Sequence, residues 1–555
     1  ILLRPNDEGK AKKNLNYYTK LAYEASYNAV ASKYKKSIGK FIGRTKTVWI
    51  LLVASCLLLA FFMKSLPNGL VPQEDQGVIL AEIRTAPGYT LQQTDAVLDK
   101  VEAKIKKIPE LQSYVRVAGY GMVSGGGSSY GTFVVRLKPW DDRKGINHMI
   151  DLVIARLYYD CEDIKEAVVL PFQMPQIPGY GTSNDIELVL QDQQGGDMSV
   201  FYGHAQKFLA ELQKRKEVSA ALSSYSESFP KYKAEINATQ CDISGISPQQ
   251  VLNTLGSYCG GAFIGNYNQF GKVYRIIANA APEYRLDPTS LSNMFVKVGN
   301  GSMAPLSQFV TLVPAVGSST QRRFNLFQSI TCSVTPAEGF SDGDVQNAIA
   351  EVAEEVMPAG YGYEYGGMSR ELAENSKGNM TGIIYGICIF LIYLILGCLY
   401  ESWLIPLAVL FSVPFGLMGS FGVSYLLGLE NNIYLQTGVI MLIGLLAKTA
   451  ILITEFAVAR HKQGLSIVDA ALQAAEERLR PILMTVACMV IGMIPLIVAG
   501  GAGANGNRSL AIGVTGGMIV GTIALVYVVP VFYIIFQKLQ EKVSGPIKED
   551  DNEEE

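Results

Sequence analysis

The sequence predicts an α+β membrane protein: a six-helix transmembrane bundle joined to a large extramembrane region of ferredoxin-like βαββαβ units, one of which carries an inserted β-rich segment. Three observations carry this prediction. The 555 residues are 49% hydrophobic yet 17% charged, with mean hydropathy +0.20, too apolar for a soluble protein and too charged for one lying wholly in lipid. Six stretches have the length and apolarity of a span, whereas none does between residues 64 and 377. Within that interval, short period-two strands alternate with amphipathic helical patterns.

Residues 1–46 hold eleven Lys/Arg against three Asp/Glu, interleaved with aromatic and apolar residues. That is the pattern of an amphipathic helix on the inner membrane face. Residues 47–64 form the first span, and the positive-inside rule places its N-terminal side in the cytoplasm. A first outer unit, residues 65–181, reads strand VILAEIRTAP, helix LQQTDAVLDKVEAKIKKI behind the cap Thr90, strands SYVRVAGYG and TFVVRLKPW, helix MIDLVIARLYYD and strand EAVVLPF. This is the βαββαβ succession. A second unit is split into residues 182–230 and 321–370. Its parts are DIELVLQD, MSVFYGHAQKFLAELQKR and VSAALSSY, then QSITCSVTP, SDGDVQNAIAEVAEEV and GYEYGGM. The β-rich insert between them, residues 231–320, carries hairpin signals in NQFGK and VGNGS.

Five further spans lie within residues 378–537, at 383–399, 404–429, 434–456, 481–498 and 510–536. YESW and the basic run from RHKQG to ERLR fall inside, LENN and GGAGANGN outside, so both chain ends are expected in the cytoplasm. Residues 538–555 form an acidic tail, expected to be disordered. The chain opens with Ile1 rather than Met, and ILLRP has the look of a truncated helix end, which points to the C-terminal portion of a longer or split polypeptide.

A net charge of −3 gives no basis for a nucleic-acid partner. The eight cysteines lack metal-ligand spacing, and Cys56, Cys388, Cys398 and Cys488 fall inside predicted spans. His148, His204 and His461 are too dispersed for a zinc site. GAGANG matches GxGxxG but follows a span rather than a strand, so a flexible outer turn is expected. GLLAKT lacks the second glycine of a phosphate-binding loop, which leaves no basis for ATP-driven work, and no nucleophile–base pair marks an enzyme.

The fourth span contains GVIMLIGLLAKTAILITEF, residues 438–456, with Lys448 near its middle. An ionised side chain at that depth costs about 2.5–3.5 kcal/mol on insertion scales, so it is expected to face a partner or a water path. Snorkelling is the alternative. Thr437, Gly444, Lys448 and Glu455 are separated by 7, 4 and 7 residues and share one helix face. Gly444 leaves room for a neighbouring helix. Arg478 and Thr485, seven apart on the next span, extend a polar path; their plainer readings are a boundary arginine and a hydroxyl bonded to its own helix. No other span carries a charge near mid-depth, so the counter-charge of Lys448 must come from residues outside this sequence. In the outer region, AGYGMVSGGGSSYG, residues 118–131, reads as a mobile glycine-rich loop presenting Tyr120 and Met122, suited to apolar ligands. PFQMPQIPGYG, residues 171–181, presents Phe172 and Met174 similarly.

Taken together, LVPQEDQG after the first span, the YGM glycine stretch before LKPWDDR, LYESWLIPLAVLFSVPFG, GLLAKTAILITEFA, ERLRPILMT and VIGMIPLIVAGGAG resemble the C-terminal half of a resistance–nodulation–division (RND) exporter of the hydrophobe/amphiphile, AcrB-like branch. The resemblance covers nearly the whole chain. It implies proton-driven efflux of amphiphilic drugs, dyes, detergents or bile-salt-like compounds, with the proton gradient as energy source and no cofactor. It also implies a homotrimer in the Gram-negative inner membrane, completed by the N-terminal half of the transporter, a periplasmic adaptor and an outer-membrane channel. The outer units become periplasmic porter subdomains and the insert a docking subdomain. Lys448, Arg478 and Thr485 match the proton relay, whose aspartates belong to the N-terminal half. Tyr120 and Met122 match the drug-binding gating loop, and Phe172 and Met174 the drug entrance. Well-known members carry phenylalanines in the gating loop, and an arginine and a glutamate at the entrance where Leu222 and Gly179 align, so a changed ligand preference is implied. An RND-type lipid or metal-ion exporter, or a non-transporting membrane-anchored assembly or secretion factor, stands as the alternative.

Overall fold

The computed structural model describes residues 31–545 apart from 224, 319, 338, 378 and 379. Residues 1–30 and 546–555, most of the expected amphipathic segment and the end of the acidic tail, lie outside the described residues. Residues 31–42 are helical (α1), and the Tyr34 hydroxyl donates to the Val526 carbonyl at 2.8 Å, so this helix packs on the last span. The first span is α2 (Thr45–Ser65).

The first outer unit runs β1 (Val78–Thr85), α3 (Leu91–Ile105), β2 (Leu111–Gly121), β3 (Gly125–Leu137), α4 (Ile150–Cys161) and β4 (Ala167–Gln173). Its antiparallel sheet has the order β2-β3-β1-β4. The period-two pattern of β1 sends Ile79, Ala81 and Ile83 into a core with Leu98, Val101, Phe133 and Leu157. Leu80, Glu82 and Arg84 take the opposite face. Helix α3 starts at a capping box, in which the Thr90 Oγ1 accepts from the Gln93 amide and the Gln93 carboxamide from the Thr90 amide.

The second unit contributes β5 (Ile186–Asp192), α5 (Met198–Leu212) and β6 (Val218–Ser223) before the insert. The insert holds β7 (Phe229–Ile236), α6 (Ala238–Ile243), α7 (Pro248–Cys259), β8 (Ala262–Gln269), β9 (Lys272–Ala278), β10 (Phe295–Lys297), β11 (Met303–Pro305) and β12 (Val310–Gly317). The chain then returns through β13 (Arg322–Phe324), β14 (Phe327–Pro336), α8 (Asp342–Val356) and β15 (Tyr361–Tyr365). Strand β14 pairs with both β5 and β6, and β15 with β5, so β6-β14-β5-β15 repeats the strand order of the first unit. Strand β13 pairs only the start of β14. The NQFGK signal becomes a tight turn between β8 and β9, with Phe270 at φ 53° and Gly271 at φ 70°, the two positive values that a type I′ turn needs.

After α9 (Gly367–Lys377) come α10 (Met380–Tyr400), α11 (Ile405–Leu410), α12 (Val413–Leu426), α13 (Ile433–Lys462), α14 (Ile467–Ile497) and α15 (Ala504–Ser544). With α11 and α12 taken as one span, six helical spans among the described residues are long and apolar enough to cross a membrane. The third span differs from the expected single helix. It breaks at Ser412, where Pro414 cannot donate an amide to the preceding turn. GAGANG differs too, since the chain is already helical from Ala504 and only its first residues form a turn. Helix α15 is the centre of the bundle and meets α12 through glycines. A Cβ on Gly419 would lie 2.9 Å from the Gly516 carbonyl oxygen and one on Gly517 2.9 Å from that of Gly416, so nothing larger fits without moving a helix.

Candidate functional site: a membrane lysine and an outer cleft

Lys448 sits midway along the 30-residue α13. Its neighbours Ala447, Thr449 and Ala450 are buried, while Lys448 lies on an exposed stripe with Thr437, Met441, Gly444 and Glu455. The spacing read from the sequence therefore does place these residues on one face. A Cβ on Gly444 would meet nothing within 4 Å, which leaves a groove beside the lysine. Among the described residues Lys448 has no hydrogen bond or ion pair.

The structure does not gather Arg478 and Thr485 around Lys448 by any direct bond. The Arg478 guanidinium stacks on the Phe456 ring at 4.4 Å, with its Nε lacking a hydrogen-bond partner, and Arg460 reaches the same ring at 4.9 Å. The Thr485 hydroxyl donates to the Pro481 carbonyl of its own helix at 2.9 Å. One lone pair of the Thr485 oxygen thus remains to accept.

In the outer region, residues 118–131 are not a mobile loop. They are the tip of the β2–β3 hairpin, and only residues 122–124 lie outside the strands. Small residues keep the ladder intact through a stretch that composition alone reads as coil. A register shift at Gly119 (φ +82°) bends β2, and the Thr132 hydroxyl donates to the Tyr120 carbonyl at 2.8 Å. Tyr120 is thereby held exposed and Met122 half-buried. Phe172 lies on β4 opposite Leu80, and Met174 directly follows that strand.

Two separate clefts lie between the two units. One is lined by Thr85, Ser129 and Tyr130 of the first unit against Tyr225, Phe229 and Thr320. The other is lined by Pro175, Gln176 and Tyr180 against Asp185, Glu187 and Asp342. Neither is lined by Tyr120, Met122, Phe172 or Met174 themselves, although Pro175 and Gln176, which follow Met174, line the second.

The profile of the AcrB/AcrD/AcrF family matches residues 1–537. The chain belongs to this family. Similar proteins include the toluene efflux pump membrane transporter TtgB of Pseudomonas putida, 31% identical over 93% of this chain and 49% of the relative. The multidrug resistance protein MdtF of Escherichia coli is 32% identical over 91% of this chain and 48% of its own length. The multidrug export protein AcrF of the same organism is 32% identical over 93% and 50%. The chain spans about half the length of the curated relatives it matches.

Charged residues that the sequence pattern did not single out tie the membrane helices to the outer units. Glu74 accepts from the amides of Gly503 (3.1 Å) and Gly506 (2.8 Å) at the start of α15. The next residue, Asp75, pairs with the buried Arg143 of the first unit at 2.9 and 3.2 Å and accepts from the Ile150 amide. Two adjacent carboxylates in the LVPQEDQG motif thus hold a membrane helix and an outer unit. At the base of the second unit, the Gly343 amide at the start of α8 donates to the Asn68 carbonyl. Burial, with repulsion from Asp342 and Asp344, pushes the Glu430 carboxyl up to about 7. Burial, with repulsion from Asp185, pushes Asp342 up to about 6. Burial also raises Glu187, against the pull of Arg322. The available signal was the adjacent acidic pair in LVPQEDQG, between the first span and the first strand.

Proposed function

We propose that this chain is the carboxy-terminal half of the inner-membrane component of a proton-driven efflux pump. It exports amphiphilic drugs, dyes, detergents or bile-salt-like compounds and works by transport rather than covalent chemistry, so no cofactor is required. The observation that carries this reading is Lys448: a cation at mid-span, on an exposed helix face beside a glycine groove, without a partner among the described residues. A lysine there cannot be left against lipid at low cost. Its counter-charges are carboxylates of helices belonging to the other half of the transporter.

In this reading, protonation of those carboxylates releases the Lys448 ammonium, which turns toward the Thr485 oxygen, whose hydroxyl proton is already committed to the Pro481 carbonyl. Arg478, stacked on Phe456, holds the inner end of the path positive. Helix movement passes to the first outer unit through Glu74 and Asp75. Two ferredoxin-like periplasmic porter subdomains then rock about the cleft, with Tyr120 and Met122 as the gate and Phe172 and Met174 toward the entrance. The insert serves as docking subdomain. Its β8–β9 ribbon leaves Phe263, Ile264, Phe270, Val273 and Ile277 exposed, and an isolated hairpin is marginal in water. A neighbouring copy in a homotrimer would cover it, with the adaptor and outer-membrane channel completing the path. The chain ends lie in the cytoplasm of a Gram-negative cell.

Lys448→Ala tests this. Energy-dependent dye efflux is expected to fall to background at unchanged expression, and undiminished efflux would sink the proposal.

A further inference from the structure

Glu82 is fully buried on the β1 face turned away from the helical core. A carboxylate in that position is costly unless its lone pairs are used. The Val123 amide donates to it at 2.6 Å, the Ser124 amide at 3.3 Å, the Ser124 hydroxyl at 2.7 Å and the Arg84 Nε at 2.8 Å. Three of these four donors come from the turn at the tip of the β2–β3 hairpin. Gly121 permits the approach, since a Cβ there would stand 3.0 Å from the carboxylate.

The opposite side of the same turn is held from the other unit. Arg322, on β13 where the chain leaves the insert, donates through Nη2 to the Val123 carbonyl at 3.2 Å and the Ser124 carbonyl at 3.5 Å. Arg84 completes a second crossing, with Nη1 donating to the Ser223 carbonyl at the end of β6 at 3.4 Å. The turn therefore spends its N–H groups on a fixed carboxylate within its own unit. Its C=O groups go to an exposed arginine of the neighbouring unit.

We infer that Glu82 and Arg322 are positioning residues which clamp the turn at residues 122–124 from both sides, so that the setting of Tyr120 and Met122 follows the opening and closing of the cleft. Glu82 is the fixed jaw, because its bonds lie within one rigid sheet. Arg322 is the movable jaw, because its bonds break when the units part. The transport consequence rests on the efflux reading above; the clamp rests on geometry alone.

Hydrogen exchange by mass spectrometry on the complete transporter tests the clamp directly. In Glu82→Gln, amides in peptides covering 118–131 are expected to exchange about tenfold faster or more, the effect of losing charge-assisted hydrogen bonds. Arg322→Ala should accelerate the same peptides less, and peptides covering α3 should not change in either. In transport, both variants should shift the ratio of bulky to small dyes exported, and Arg322→Lys should restore it by keeping a donor on the carbonyls. Unchanged protection of 118–131 in both variants would overturn the inference, as would an unchanged dye ratio in a variant whose turn has loosened. Should Glu82→Gln not accumulate, Ser124→Ala and Arg322→Ala still decide it. A wild-type protein that moves no dye would remove the efflux reading, with the exchange measurement still deciding the clamp.

Discussion

The two outer units share one strand order, yet several of their carboxylates are handled differently. In the first unit and its tether, Glu74, Asp75 and Glu82 each accept from several amides or from an arginine. In the second, burial raises the proton affinity of Glu187 and Asp342, and Asp342 and Asp344 in turn repel the half-buried Glu430 of the connection between α12 and α13. The same architecture thus carries some carboxylates held by satisfied hydrogen bonds and others that respond to pH, among them Asp151 of the first unit, raised by burial and by repulsion from Asp75. The units differ again at one topological point. The short glycine-rich turn between β2 and β3 sits where the second unit carries its whole insert, between β6 and β14. Chain length is added at the connection while the packed sheet is kept.

The deepest test of this pairing is to empty each core in turn. Phe133→Ala and Phe208→Ala remove fully buried rings and should each cost about 3–5 kcal/mol. If the units are separate cores, hydrogen exchange will rise only in the mutated one; a rise in both would merge them into one cooperative body. The helix caps give a smaller, matched pair. Thr90→Ala at α3 and Asp197→Ala at α5 should each cost about 1 kcal/mol by thermal unfolding, with the capping box making Thr90 the larger loss.

The pH contrast is finer still. Asp342 and Glu430 bind protons more tightly in the folded protein than in the unfolded chain, so their contribution to stability is full below pH about 4 and is lost as pH rises through about 6 and 7. Acidifying from pH 7.5 to 5 should therefore raise the unfolding temperature, and Glu430→Gln should flatten that rise. A wild-type profile flat across this window would remove the contrast between the two sets of carboxylates. The smallest effect is expected for Glu187→Gln, which should stabilise slightly at neutral pH and lose its advantage in acid.

Much of this was legible from sequence because it depends on local periodicity. The strands and helices of both units stand where alternation and amphipathic spacing predicted them, and the stripe through Gly444 and Lys448 follows from 3.6 residues per turn. The glycine-rich stretch misled, because composition records flexibility and not the cross-strand hydrogen bonds that keep 118–131 in a hairpin. Arg478 illustrates another limit. Its type and depth could be read, but its seat on Phe456 depends on how α13 and α14 pack.

By itself, then, the sequence determined the six spans found among the described residues, the strand and helix content of the outer region and the lysine set at mid-span. These are properties of short windows, governed by apolar periodicity and by the cost of charge in lipid. Only the tertiary structure decided that Glu82 and Arg322 meet at one turn, that Glu74 and Asp75 face different bodies, and that Glu430 lies near Asp342. Those pairings join residues far apart in the chain. Their energies come from burial and hydrogen-bond geometry that no local window contains.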